Sequence, residues 1–210
     1  MPRNIQAALS PGPGEAWRLE SLVLDDPGPN EVILQIKAAG ICHTDLAVAE
    51  FLPGKHVFGH EGAGVVLAVG SAVARVQPGD RVVATFGSCG ACPNCRRNTP
   101  AYCFEHSAFN LEGRRLHGSS PTLRLASGEP VGGAFFQQSC FADHAIATDR
   151  NVIKIPDWLD FDLAAPIGCG IQTGAGAVMN CLKAEPGRAI VIFGVGAVGL
   201  SAVMAAAIIG

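Results

Sequence analysis

Ala189-Ile190-Val191-Ile192-Phe193-Gly194-Val195-Gly196-Ala197-Val198-Gly199 is the stretch that decides how the end of this chain folds. Five apolar residues, three of them β-branched, read as a fully buried strand. A GxGxxG loop follows, and Leu200-Ser201-Ala202-Val203-Met204-Ala205 continues as a helix. In that context Gly194 makes the tight turn, Gly196 admits a pyrophosphate and Gly199 lets helix pack on strand. This is the opening of a βαβ unit, and the chain reaches Gly210 before a second strand of that unit. The uncharged run from Ala189 to Gly210 is long enough to suggest a membrane span. Gly194, Gly196 and Gly199 interrupt it at spacings suited to a turn, so no membrane association is expected.

Upstream the character differs. Glu31–Ala39 is strand-like, Gly62–Val76 is β-prone with a turn at Gly70-Ser71, and Gln77-Pro78-Gly79-Asp80 is a turn before the strand Arg81–Ala84. Phe141–Ile155 reads as strand, loop and strand. Asp157 or Asp160 caps a short helix reaching Ala165, and Ile171–Leu182 is helical. The reading is a β-rich domain over residues 1–171, followed over 172–210 by the incomplete start of a nucleotide-binding α/β domain. The 210 residues carry 16% charged side chains, a net charge of -3 and 26 glycines. That balance excludes the basic footprint of a nucleic-acid binder. Met1-Pro2-Arg3-Asn4-Ile5 lacks an apolar signal core, so a cytoplasmic location is expected. Eight cysteines in a reducing compartment read as metal ligands or catalytic groups.

Four of them, Cys89, Cys92, Cys95 and Cys103, fall within about 88–104. Two residues between successive cysteines let a tight turn bring sulfurs onto one ion. The fourth returns after seven residues to close a tetrahedral Cys₄ set with no open position. Arg96 and Arg97 are placed to offset the thiolate charge. An iron–sulfur cluster is the rival, but the ferredoxin run has its fourth cysteine after three residues and a proline behind it. Here Phe104 follows, and structural zinc is the reading.

Cys42, His60 and Cys169 are separate, each beside glycines or in a polar turn, and spacing alone does not show that they converge. Gly40-Ile41-Cys42-His43-Thr44-Asp45, Gly59-His60-Glu61-Gly62-Ala63-Gly64, Pro78-Gly79-Asp80-Arg81-Val82, the four-cysteine lobe and the glycine loop occur here in one order. That order resembles the zinc-dependent alcohol dehydrogenases of the medium-chain dehydrogenase/reductase superfamily, across essentially the whole chain. Pro166-Ile167-Gly168-Cys169-Gly170-Ile171-Gln172-Thr173-Gly174 is most similar to the aryl-alcohol (benzyl alcohol) branch. The resemblance implies a GroES-like catalytic domain followed by the first part of a Rossmann domain. It implies two Zn²⁺ per chain, one structural and one held by Cys42, His60 and Cys169. That Cys₂His set with its fourth position open is already known as the alcohol dehydrogenase arrangement. A zinc site of this kind lets an alcohol lose its proton near neutral pH, as it lowers bound water from about 15.7 to about 7.

By the same resemblance Thr44 receives the alcohol proton, Asp45 orients the ligand histidine and Glu61 is the acidic neighbour of the metal. His43 contacts cofactor pyrophosphate, and Thr173 and Val198 lie against the nicotinamide. Ala47 stands where the liver-type enzymes carry a relay histidine, so the proton route ends elsewhere. Asp45 read on its own is equally a cap for a helix starting at Leu46. Thr85 and Phe86 lead toward the metal site and line either a pocket or the core. His56, His106, His117 and His144 are expected at surface or structural positions, Cys140 and Cys181 as buried fillers.

The function implied is hydride transfer between primary, aromatic alcohols or aldehydes and NAD. NADP stays open because the acidic residue expected about twenty positions past the loop lies beyond Gly210. A homo-oligomer is expected of the full-length enzyme. Two alternatives stand: a zinc-ribbon interaction module without catalysis, and a degenerate or truncated dehydrogenase. A chain that stops inside its sheet is expected to be aggregation-prone or partner-dependent, and inactive alone.

Overall fold

A computed structural model describes residues 3–116 and 120–210. Ten strands form two five-stranded antiparallel sheets. The first joins β1 (Arg3–Ser10), β2 (Arg18–Leu24), β4 (His56–Val57), β7 (Leu123–Leu125) and β8 (Pro130–Val131) in the order β4-β1-β2-β7-β8. The second joins β3 (Glu31–Gly40), β5 (Glu61–Val69), β6 (Arg81–Ala84), β9 (His144–Thr148) and β10 (Val152–Lys154) in the order β10-β6-β5-β3-β9.

Strand period explains the two cores. In β3 the neighbours Val32, Ile33 and Leu34 point alternately to opposite faces. Ile33 joins Ile5, Leu9, Leu22, Leu24 and Leu123 between the sheets. Val32 and Leu34 join Val66, Val82, Ala147 and Val152 on the other face. Each such side chain contributes about 1.5–3 kcal/mol when fully buried. The β1 stretch was not singled out from the sequence, yet Ile5, Ala7 and Leu9 alternate in the same way and all are buried. The expected β run over 62–76 is shorter than read: β5 stops at Val69, where the Gly70 amide bonds the Glu31 carbonyl at 2.8 Å. Val73 and Val76 then cover the second core without joining a ladder.

The helices are α1 (His43–Ala49), α2 (Pro93–Arg96), α3 (Phe161–Ala164), α4 (Gly170–Gly176) and α5 (Ala197–Ile209). Asp160 is the residue before α3, and α4 runs into a wider turn at Ala177–Cys181. The expected strand at 189–193 requires correction. The segment forms no ladder among the described residues, and Val191 and Phe193 are 77% and 95% exposed. Its period-2 alternation survives. Ile190 and Ile192 face inward onto Val178, Ala202 and Ala205, while the opposite face has no backbone alongside to pair with. No helix among the described residues is long and apolar enough to cross a membrane.

One glycine sets the approach of α4 to α5, and a second lets the glycine loop fold back onto α5. A methyl group on Gly174 would collide with the Val198 carbonyl, and one on Gly199 with the Gly194 carbonyl. Both obstacles are backbone, so neither yields cheaply. Gly174→Ala is therefore expected to destabilise the protein by about 1–3 kcal/mol despite alanine's better helix propensity. Urea denaturation showing an unchanged or improved midpoint would mean that the two helices do not meet there.

Candidate metal centres and active-site cleft

The four-cysteine lobe is built from local turns. Gly90 adopts φ 72°, Cys92 precedes α2, Cys95 lies within it, and a turn at Pro100–Tyr102 returns Cys103. One sulfur from each cysteine lies within 4.8 Å of all the others. None is in a disulfide. Backbone amides converge on the sulfurs, with Cys92 N and Ala91 N at 3.3 and 3.5 Å from Cys89 Sγ and Cys89 N at 3.4 Å from Cys103 Sγ. Donation from the Cys95 and Phe104 amides pulls the Cys92 thiol down to about 6, whereas burial pushes Cys95 up to about 12. Four thiols so close cannot all ionise without a cation among them. Arg97 bonds Asn94 at 2.8 Å, and the guanidinium of Arg150 packs over Gly90.

The second cluster is assembled across the chain. Cys42 precedes α1, His60 immediately precedes β5, Glu61 begins it, and Cys169 precedes α4. Their ligand atoms also lie within 4.8 Å of one another. Asp45, 0% exposed, accepts from His60 Nδ1 at 2.8 Å and Gly59 N at 3.0 Å through one oxygen, and from Cys42 N at 2.9 Å through the other. A carboxylate only accepts, so Nδ1 of His60 carries the proton. Nε2 is then left as a lone pair, 3.2 Å from Cys169 Sγ. The helix starts at His43, earlier than the Leu46 start expected, because Asp45 in its first turn receives the Cys42 amide. Capping and histidine orientation are thus one carboxylate's work. Glu61 Oε1 accepts from Gly170 N at 3.1 Å. Burial, then the neighbouring Cys42 and Glu61, push the Cys169 thiol far up. Two sulfurs, an imidazole lone pair and a carboxylate facing one another fit a divalent cation, which would reverse that shift.

His43 is exposed and Thr44 half-buried in the first turn of α1, and Ala47 lies in the same helix. The glycine loop reaches this region. A Cβ on Gly170 would stand 3.3 Å from the Ala197 Cβ and 3.5 Å from Glu61 Oε1. Gly194 has φ 102°, a left-handed value that favours glycine, and nothing crowds Gly196. Gly196 immediately precedes the thirteen-residue α5, whose first amides therefore point into the loop. Gly174, next to Thr173, packs on the Val198 carbonyl, and Thr173 Oγ1 donates to the Cys169 carbonyl at 2.8 Å.

A cleft of about 520 Å³ opens over Cys169, walled by Phe86, Tyr102, His106, Phe136 and Thr173. Phe86 lines it as expected. Thr85 instead ties elements together, its hydroxyl donating to Gly168 O and accepting from Gln172 Nε2, each at 2.8 Å. His106, expected to be a surface or structural residue, faces the cleft 6.2 Å from Phe86, and Cys181 is exposed on its rim, not buried. Cys140 is buried as expected, and burial raises its thiol. His117 lies outside the described residues. The run Phe135–Ser139 was missed entirely. Phe136 stacks on His60 with centroids 4.4 Å apart, and Phe136, Gln137 and Ser139 all have positive φ. Each such residue costs about 1–3 kcal/mol unless its surroundings fix it. A Phe-Phe-Gln-Gln-Ser run between apolar stretches was the available signal.

Comparison with known proteins agrees with this construction. Residues 28–157 match the alcohol dehydrogenase GroES-like domain. A geraniol dehydrogenase of Castellaniella defragrans is 42% identical over 209 residues, 99% of this chain and 56% of that protein. The crystal structure of an alcohol dehydrogenase zinc-binding domain protein from Burkholderia ambifaria superposes with TM-score 0.96 at 44% identity, over 100% of this chain and 57% of that one. Benzyl alcohol dehydrogenase from Acinetobacter calcoaceticus gives 0.89 at 39% identity, over 99% and 56%. The chain thus spans a little over half the length of these relatives, with its β-rich GroES-like domain and part of a Rossmann domain. This chain belongs to the alcohol dehydrogenase GroES-like family.

Proposed function

We propose that the protein is the zinc-binding part of an oxidoreductase that interconverts primary, aromatic alcohols and aldehydes with NAD. The observation that carries this reading is the meeting of Cys42, His60 and Cys169 beside the glycine loop. In this reading residues 1–171 are the catalytic domain and 172–210 begin the cofactor domain. Cys42, His60 and Cys169 hold the catalytic zinc, and Cys89, Cys92, Cys95 and Cys103 the structural one. Zinc supplies Lewis acidity, which makes an alcohol acidic enough to lose its proton near neutral pH. NAD, when bound, would supply the hydride acceptor.

The chain's own groups do the rest. Thr44 accepts the proton from the alcohol hydroxyl, and Ala47 offers no side chain to pass it on, so water completes the exit. Asp45 fixes the His60 tautomer and Glu61 keeps a carboxylate at the metal. His43 and the amides around Gly196 hold pyrophosphate, while Thr173 and Val198 support the nicotinamide. Phe86 and Phe136 give the cleft aromatic walls, which favour an aryl substrate by ring contact. A benzyl alcohol dehydrogenase stands among the similar structures. The cytoplasm suits eight free thiols.

A zinc-ribbon module or a degenerate dehydrogenase differs in measurable ways. Elemental analysis is expected to find two zinc ions per chain, with Cys169→Ala and Cys103→Ala each losing one independently. One ion in the wild type would favour the ribbon. Removing the charge that aligns His60 by Asp45→Asn is expected to weaken catalytic-site zinc about 10–100-fold, read by chelator competition, with structural zinc unaffected. In the full-length protein benzyl alcohol is expected to be oxidised with higher kcat/KM than ethanol, and faster with NAD than with NADP. Preference for ethanol, or turnover of neither, would sink the aromatic reading.

A further inference from the structure

We propose that Gln137 is a positioning residue for the alcohol cleft, coupling the segment behind the four-cysteine lobe to the turn that presents Phe136. This rests on the functional reading above and names what sets the cleft's selectivity. Gln137 is 2% exposed with φ 56°, a conformation glycine would adopt more easily. Its carboxamide is fully engaged. Nε2 donates to Phe109 O at 2.8 Å and Arg114 O at 2.7 Å, with Ala134 O at 3.3 Å, and Oε1 accepts from Leu116 N at 2.9 Å.

A second amide continues the link. Asn110, fully buried, accepts from Gly87 N at 2.7 Å and donates to Gly87 O and His106 O at 3.0 and 2.9 Å. Gly87 follows the cleft residue Phe86 and packs against the Gln137 side chain, where a Cβ would collide. From the other side Asn151 Nδ2 donates to Thr85 O, Phe136 O and Gln137 O at 2.9, 3.3 and 3.2 Å. The left-handed pair Phe136-Gln137 is thereby fixed to three neighbouring segments. Its output is the Phe136 ring, held on His60 and forming a wall of the cleft. Gln137 itself belongs neither to the metal cluster nor to the cleft lining. Its influence passes through the placement of that ring, so it acts on substrate fit.

Gln137→Gly is the discriminating variant, since glycine accepts the backbone conformation while the side chain, carboxamide included, is removed. In the full-length, zinc-loaded enzyme its KM for benzyl alcohol is expected to rise about tenfold with kcat changing less than about twofold, and its KM for ethanol to stay within about threefold. Exchange of the Leu116 amide, which loses its acceptor, should accelerate, and the visible spectrum of the cobalt-substituted catalytic site should be unchanged. Phe136→Leu, which leaves the carboxamide in place, should reproduce the selectivity change without the faster Leu116 exchange, and it keeps the test open if Gln137→Gly folds poorly. KM values for both alcohols that move together in either variant overturn the positioning role while leaving the enzyme reading intact. A wild-type protein that oxidises neither alcohol overturns both.

Discussion

Asp45 is the constraint on which the candidate site depends. A carboxylate removed from water is tolerated only when it is compensated, and here both oxygens accept, from His60 and two backbone amides. The three donors lie on two different elements: the turn before α1, and the stretch leading into β5. One buried charge therefore fixes the position of Cys42, the approach of Gly59 and the tautomer of His60 together. Removing it would leave the Nδ1 proton and two amides unpaired in a dry interior. Each buried, unsatisfied group of that kind costs about 1–3 kcal/mol.

Around this anchor the interior is unusually polar for a β-rich core. Gln138 donates to the His60 carbonyl at 2.8 Å and accepts from the Gly62 amide at 3.0 Å, bracketing His60 through the backbone on either side of it. Ser139 bonds Val57 O at 2.6 Å and receives Phe135 N at 2.9 Å. These side chains replace ladder partners for a segment that is neither strand nor helix, and they make its left-handed residues tolerable. The apolar cores between the sheets and on the outer face of the second supply stability, and none of Cys42, His60 and Cys169 belongs to them. The two larger apolar cores and the polar network around His60 thus draw on different residues.

Legibility followed the range of the interactions. The cysteine lobe, the β3 and β6 strands and the glycine loop could be read because each is determined within a few residues by period, turn chemistry or spacing. The segment at 189–193 was read as fully buried because five apolar residues suggest it, but burial on both faces needs neighbours that period cannot report. His106 and Cys181 were misplaced for the same reason: whether a side chain faces a cleft depends on what the chain brings opposite it. Asn151 gave no pattern, and for Gln137 only the polar interruption of the Phe-Phe-Gln-Gln-Ser run stood out, since a buried amide network is defined by carbonyls from distant segments. For Cys42, His60 and Cys169 only family resemblance suggested a common destination.

That contrast carries a consequence for how the two clusters come into being. The four sulfurs of the lobe are separated by a few turns, so their loop-closure cost is small and a cation can organise them early. His60 and Cys169 are 109 positions apart. Their meeting requires both sheets, the turn before α4 and the close seating of Gly174 on α5 to be complete. The second cluster is accordingly a report on the finished fold, not a nucleus for it. The cluster lies beside the glycine loop because the same short helix, α4, directly follows Cys169 and packs on α5. One helix end presents the Cys169 sulfur and its next turn meets α5, so the cluster and the glycine loop are set side by side by one helix of seven residues.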